Sequence, residues 1–308
     1  MVAGMTGPQP VGIIGLGLLG EALARRLRAA SFPVIGFDVD AARLKALVAL
    51  GGAGAASIAE VGRAARTIVL AVFDTAQVEH VVERDLLGAP GDGADTLVLC
   101  TSTCDPDRIA ALAARVRPRG IRFLETPVVG SSAQVAAGDS LALVGGEAAL
   151  VAAAEGILQV LFPVRAHVGN VGDGGRAKLA LNLVLGLNRL ALAEGLLFAE
   201  GLGLDPQLFL DVARRSTAYS RVMDNKGPKM VRGDFTPEAH ARQHLKDVDL
   251  ILAKALWFAD ALPALAVHAD VLRACVAAGE GDLDNSVIVA ELRRRGQATD
   301  KEGRHERR

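Results

Sequence analysis

Val11-Gly12-Ile13-Ile14-Gly15-Leu16-Gly17-Leu18-Leu19-Gly20 decides the fold of this chain. Its first four residues are mostly apolar and β-branched, which predicts a buried strand over Val11 to Ile14. Apolar residues at helical spacing predict a helix from Leu19 to Ala30. Between strand and helix lies a G-x-G-x-x-G pattern, and in that context each glycine has a mechanical task. Gly15 permits the tight turn, Gly17 lets a pyrophosphate approach the backbone, and Gly20 lets the helix lie close to the strand. The helix start at Leu18 and Leu19 then offers N–H groups and a partial positive charge to an anion. The plainer alternative is a glycine-rich turn that holds nothing.

Outward from that loop, strands and helices alternate. Val34–Phe37, Thr67–Val72, Thr96–Leu99 and Ile121–Leu124 read as strands, and Ala41–Leu50, Ala76–Leu87 and Pro106–Val116 as helices. Leu141–Val144 and Val164–Val168 read as later strands flanking a helix at Ala148–Leu161. Strands joined by crossover helices imply a parallel sheet covered on both faces. After Gly175 no strand candidate follows, and Ala177–Leu202, Pro206–Arg214, Leu245–Ala261 and Leu265–Ala278 carry helical spacing. The predicted fold class is α/β: a Rossmann-type doubly wound sheet over residues 11–171, then an all-helical domain over 172–296. The polar ends, 1–10 and 297–308, are expected to be disordered.

Asp38 ends the second strand, about 20 residues past the loop, where an acid accepts the ribose hydroxyls of a dinucleotide. A carboxylate there repels the 2′-phosphate of NADP, so NAD is the expected cofactor and NADP the secondary possibility. Asp40 adds negative charge and fits a helix N-cap before Ala41; Arg43 lies one turn into that helix. Val72 and Phe73, at the end of the next strand, complete the expected lining.

Composition narrows the remaining classes. The chain has 308 residues, 51% of them hydrophobic, with 34 Lys+Arg against 35 Asp+Glu. That near-neutral balance gives no support to nucleic-acid or membrane-surface binding. The apolar stretch Leu179–Leu204 is interrupted by Asn182, Asn188, Arg189, Glu194 and Glu200, so it reads as a largely buried helix rather than a membrane span. It is more apolar than a lone helical domain needs, which predicts a homodimer or tetramer. Met1 to Pro10 has no signal-peptide pattern. Cys100, Cys104 and Cys275 form no even framework and suggest a reducing, cytoplasmic setting. No metal-ligand spacing occurs; His240 and His244 lack a third ligand and read as a solvated helical face.

Further segments resemble the β-hydroxyacid dehydrogenase family, the group of 3-hydroxyisobutyrate dehydrogenase and tartronate semialdehyde reductase, related to 6-phosphogluconate dehydrogenase. Beyond the glycine loop, Ser102-Thr103-Cys104-Asp105-Pro106 is similar to the family's Ser-Thr-x-x-Pro, which implies that Thr103 lies near the nicotinamide ribose; a helix cap ahead of Pro106 explains the same residues. Glu125-Thr126-Pro127-Val128-Val129-Gly130-Ser131 resembles the substrate-binding stretch, usually Asp-Ala-Pro-Val-Ser-Gly-Gly. Gly172-Asp173-Gly174-Gly175-Arg176-Ala177-Lys178-Leu179-Ala180-Leu181-Asn182 resembles Gly-x-Gly-x-x-x-Lys-x-x-Asn-Asn, which implies that Lys178 is catalytic. Leu245-Lys246-Asp247 matches a shorter segment whose Lys reaches the active site; a solvated face explains Lys246 equally well. The chain departs from the pattern where Val129 replaces a substrate-binding Ser and Leu181 replaces the first Asn. Ser131 or Ser132 could supply a hydroxyl from a shifted position, or Ser131 could only satisfy local backbone.

The resemblance implies hydride transfer between a nicotinamide and a small carboxylate substrate, a β-hydroxyacid or its semialdehyde. Lys178 suits the proton transfer that must accompany it, as general acid or base. Lys178 and Asn182 stand four residues apart, on one helical face. An exposed Lys lying along apolar surface is the plainer alternative. A C=N reductase of the same fold, or a catalytically silent dinucleotide-binding assembly module, are the rival readings; retention of Lys178 counts against both.

Overall fold

Alternation along each strand sends neighbouring side chains to opposite faces of one sheet. Ile13, Val69 and Leu99 face one apolar cluster, and Ile14, Ile68, Leu70 and Val98 face another. The computed structural model describes residues 9–88, 95–255 and 259–305, with side chains through residue 297. The expected disorder at residues 1–8 and 306–308 lies outside the described residues.

The chain divides into two units, one ending at Lys178 and one beginning at Leu179. In the first unit the strands are β1 (Val11–Ile14), β2 (Val34–Phe37), β3 (Ala53–Gly54), β4 (Thr67–Leu70), β5 (Thr96–Cys100), β6 (Ile121–Glu125), β7 (Val128–Val129), β8 (Leu141–Gly145) and β9 (Val164–Gly169). They run in the order β3-β2-β1-β4-β5-β6-β8-β7, with β9 paired to β8. The first six are parallel; β8 is antiparallel to β6 and β7. Helix α1 (Leu18–Ala29) and α2 (Ala41–Ala49) follow β1 and β2. Then come α3 (Ile58–Ala64), α4 (Thr75–His80), α5 (Pro106–Val116), α6 (Ser132–Ala137), α7 (Ala148–Ala153) and α8 (Glu155–Leu161). The helix expected over Ala76–Leu87 becomes a π-helical turn from Val81 to Leu86. Successive connections leave β1 in opposite directions, to β2 and through β3 to β4. That reversal opens a crevice at the carboxyl ends of β1 and β4, where doubly wound sheets bind ligands.

Helix α9 (Asp173–Gly201) carries the chain into the second unit. The division falls within this helix rather than near Val171, because the first turn of α9 is bound to the sheet. Helices α10 (Pro206–Ala213), α11 (Arg221–Arg232), α12 (Ala241–Lys254), α13 (Pro263–Ala277) and α14 (Ile288–His305) follow, and no strand occurs among the described residues of this unit. Helix α14 corrects the expected tail: residues 297–305 continue the helix, since Gln297, Ala298, Lys301 and Glu302 are good helix formers despite their polarity. Helix α11 was not expected, because Gly227 and Pro228 sit inside it. Gly227 is there for packing: a Cβ would stand 2.6 Å from Leu210 of α10.

The helical unit is built around a buried ion pair. Asp284 is fully buried and accepts hydrogen bonds from Lys226 Nζ at 2.8 Å, Glu238 N at 3.0 Å and Ser286 N at 3.1 Å. Burial pushes its carboxyl up, but Lys226 and the N–H donors outweigh that and hold it below the usual carboxylate range. Asp284→Ala should cost about 3–5 kcal/mol in urea unfolding at pH 7, since it leaves the buried Lys226 ammonium with only the longer pair to Glu238 at 3.3 Å. A carboxylate depressed in the folded state stabilises above its unfolded value of 3.8 and loses that contribution in acid. The gap between variant and wild type should therefore close as pH falls through that range. A loss below about 1 kcal/mol would mean the pair behaves like an exposed one.

Candidate active site

The three glycines of the first loop answer to different demands. Gly15 has φ +90°, and a Cβ there would stand 2.5 Å from the Ala71 carbonyl oxygen. A Cβ on Gly20 would overlap the Gly15 carbonyl. Both are therefore required by the protein's own packing. Gly17 is not: the nearest atom to a Cβ there is Arg43 Nη1, at 3.8 Å. Among the described residues nothing forbids a side chain at Gly17, and a glycine there leaves the loop open to a ligand's approach. No side chain caps α1, so the helix start at Gly17, Leu18 and Leu19 fits a pyrophosphate.

Asp38 is buried and holds this loop. Its Oδ2 accepts from Leu16 N at 2.7 Å and its Oδ1 from Asp40 N at 2.9 Å. Arg43 pairs with Asp38 at 3.3 Å and with Asp40 at 3.6 Å. Asp40 caps α2 by accepting from Ala42 N at 2.8 Å. Across the crevice, Val72 and Phe73 follow β4; the Val72 carbonyl accepts from Ser102 Oγ at 2.7 Å. Thr101 Oγ1 donates to the Leu70 carbonyl at 2.7 Å, so the β4 and β5 ends are tied together. Thr103 is buried beside them, and Asp105 caps α5. Ser102, not singled out from sequence, fixes where Thr103 sits.

Lys178 is buried, and its Nζ donates to the Val128 carbonyl at 2.5 Å. The ammonium thus lies against β7, beside Val129 and Gly130. Gly130 has φ +147°, a glycine conformation. Ser131 Oγ caps α6 by accepting from Gln134 N at 3.3 Å, and Gln134 Oε1 accepts from Ser131 N at 3.0 Å. Ser132 opens the same helix. Glu125, at the end of β6, is a site residue that sequence reasoning missed. It is buried and accepts hydrogen bonds from the backbone of Gly172, Gly175 and Gly174. Burial pushes its carboxyl up to about 7, against those donors and Arg176.

Residues 10–169 match a family model described as the NAD-binding domain of 6-phosphogluconate dehydrogenase. Residues 172–292 match one described as the NAD-binding domain of NADP-dependent 3-hydroxyisobutyrate dehydrogenase. The chain is 30% identical to 2-hydroxy-3-oxopropionate reductase of Escherichia coli, over 92% of this chain and 96% of that one. It is 29% identical to L-threonate dehydrogenase of Cupriavidus necator, over 91% and 94%. The crystal structure of 3-hydroxyisobutyrate dehydrogenase from Salmonella typhimurium superposes with a TM-score of 0.80 at 25% identity, covering 92% of this chain and 99% of that one. The chain belongs to the β-hydroxyacid dehydrogenase family.

This dehydrogenase is thus an NAD(P)-dependent oxidoreductase acting on hydroxyl groups. In its helical unit, Asn182 Nδ2 donates to Asp247 Oδ2 at 2.8 Å, and Lys246 Nζ pairs with Asp247 Oδ1 at 2.9 Å. Asp247, read from sequence only as Lys246's neighbour, organises both residues. Lys246 is largely buried rather than on a solvated face. His244 corrects another expectation: it is buried, and its Nε2 lies 2.9 Å from His268 Nε2. Gly186 makes room for that pair, since a Cβ there would stand 2.8 Å from one imidazole and 2.9 Å from the other.

The glycine analysis predicts a split between stability and affinity. Gly20→Ala should cost about 2–3 kcal/mol of folding stability through overpacking. Gly17→Ala should stay within about 1 kcal/mol of wild type but weaken dinucleotide binding about 10- to 100-fold. Calorimetric titration and thermal melts of both variants check this; unchanged affinity in Gly17→Ala would remove the ligand argument.

Proposed function

We propose that the enzyme uses NAD to interconvert a small β-hydroxyacid and its semialdehyde, with Lys178 as general acid/base. The observation that carries this is the buried Lys178 ammonium, held on the Val128 carbonyl beside Val129 and Gly130. When bound, the nicotinamide supplies the hydride acceptor or donor. In the oxidative direction neutral Lys178 takes the substrate hydroxyl proton; in the reductive direction its ammonium returns a proton to the developing alkoxide. The ammonium also offsets negative charge on that oxygen. Relatives named for L-threonate and 2-hydroxy-3-oxopropionate support a small oxygenated carboxylate. Val129, standing where the resembled family pattern has a Ser, supports an altered substrate pocket.

Asp38, Asp40 and Arg43 leave one net negative charge at the end of β2, which supports NAD over NADP. In a screen of hydroxyacids and semialdehydes with both cofactors, kcat/KM with NAD should exceed that with NADP by at least about 10-fold, about 1.4 kcal/mol. Lys178→Ala should then lower turnover by at least about 100-fold with NAD affinity nearly intact. Wild-type turnover in that variant would sink the assignment.

A homodimer through the helical unit completes the reading. Phe198 on α9, Leu202 just past its end, and Leu208 and Val212 on α10 are large exposed apolar residues, with Phe198 71% exposed. Such a cluster marks an interaction face. Phe198→Glu with Leu202→Glu should reduce the mass seen by light scattering to that of a monomer; an unchanged assembly would place the interface elsewhere.

A further inference from the structure

We propose that Glu125 is a positioning residue: its carboxylate anchors the first turn of α9 to the end of β6, and the proton it carries sets how firmly Lys178 is held. The inference rests on the assignment of Lys178 as the acid/base.

The surroundings of Glu125 are built for this contact. Gly172 N donates to Oε2, and Gly174 N and Gly175 N donate to the same carboxylate. These are the first N–H groups of a helix, which no preceding carbonyl of that helix can satisfy. Three glycines pack against this carboxylate. A Cβ on Gly145 of β8 would stand 2.8 Å from Glu125 Oε2. One on Gly175 would stand 3.1 Å from Oε1, and one on Gly174 would stand 3.2 Å from the Glu125 Cβ. The glycines around 172–175 and at 145 are therefore the space in which a carboxylate meets a helix start. Lys178 lies only three residues beyond Gly175, so its Nζ–Val128 contact inherits its position from this anchor.

The proton matters because both charge states are within reach near neutrality. The facing groups are Arg176 on α9, which favours the anion, and the Cys100 thiol on β5. The other neighbours, Leu143 and Gly145 on β8 and Pro106 on α5, carry no titratable group. With the carboxyl pushed up to about 7 by burial, an ionised Glu125 accepts all three donors. A protonated one turns an O–H toward N–H groups and loosens the turn.

Linkage gives a sign that can be checked. The carboxyl is raised from 4.5 to about 7 in the folded chain. Its contribution to global stability is full below 4.5 and is lost as pH rises toward 7, because unfolding exposes the carboxyl, whereas loosening of the turn leaves it buried without its N–H donors and is favoured by protonation. Glu125→Gln removes that loss, so the melting temperature of wild type relative to this variant should fall between pH 5 and 8.

The deciding measurement is hydrogen exchange over residues 172–178, corrected for intrinsic rates, alongside the pH profile of kcat. In wild type, protection should fall from pH 8 to pH 6, and kcat in the reductive direction, where Lys178 acts as the ammonium, should show an acidic limb with a midpoint near 7. In Glu125→Gln, protection should be low at both pH values, and that limb should vanish. At pH 8, kcat should drop about 10- to 100-fold through misplacement of Lys178, with NAD affinity within about twofold. Glu125→Asp keeps a carboxylate and should restore the limb, which guards against a glutamine variant that folds poorly. Protection indifferent to both pH and substitution would overturn the anchor. Altered protection with an unaltered kcat profile would overturn its link to Lys178. Absence of hydroxyacid turnover in wild type would refute the acid/base assignment, while the exchange data still decide the anchor.

Discussion

The contact on which the first unit depends joins the end of β6 to the start of α9. A carboxylate at a helix N-terminus meets both unsatisfied N–H groups and the positive end of the helix dipole. Here it also meets them in a buried place, where ionising an acid is costly. Glu125 is thus held between two demands: the N–H groups ask for an anion, and burial asks for a neutral acid. The result is a carboxyl poised near 7 rather than one fixed in either state. The same contact explains why the chain divides after Lys178 and not at the last strand.

The parts of the site legible in the sequence were those whose meaning is local. The glycine loop could be read because strand, turn and helix adjoin, and Asp40 because an N-cap acts within a turn. Asp38 could be placed by its distance from the loop, although its hold on Leu16 N could not. Glu125 was invisible because its partners lie 47 residues or more away, and an acid at a strand end has no distinctive neighbours. Asp247 was hidden for the same reason, being 65 residues from Asn182. Helix α11 was missed because Gly227 and Pro228 are strong breakers locally, and only packing against Leu210 explains the glycine. His244 was misread because a pair at helical spacing was judged within its own helix, whereas its partner is on α13.

Ser131 shows how a local rule can explain a residue at which this chain departs from the family pattern. A hydroxyl two residues past Val129, in the stretch that resembles the family's substrate-binding segment, invites a substrate role. Ser131 is instead followed by a helix whose third residue is Gln134, the arrangement of a capping box. Both halves of that box are present. The side chain's position is then set by α6, while its O–H, not used in the cap, keeps the capacity to donate.

The proposed preference for NAD turns on how charge is shared at the end of β2. Asp38 is bound on one side by the Leu16 and Asp40 amides and on the other by Arg43. The amides hold the carboxylate in place without changing its charge, so they do not alter its repulsion of a 2′-phosphate. Arg43 does oppose that repulsion, but it is half exposed and divided between two carboxylates. A solvent-screened guanidinium contributes little to a pair of this kind, whereas the buried Asp38 is fixed in place. Fixed negative charge therefore outweighs mobile positive charge at this position, and removing Arg43 would deepen the discrimination rather than create it.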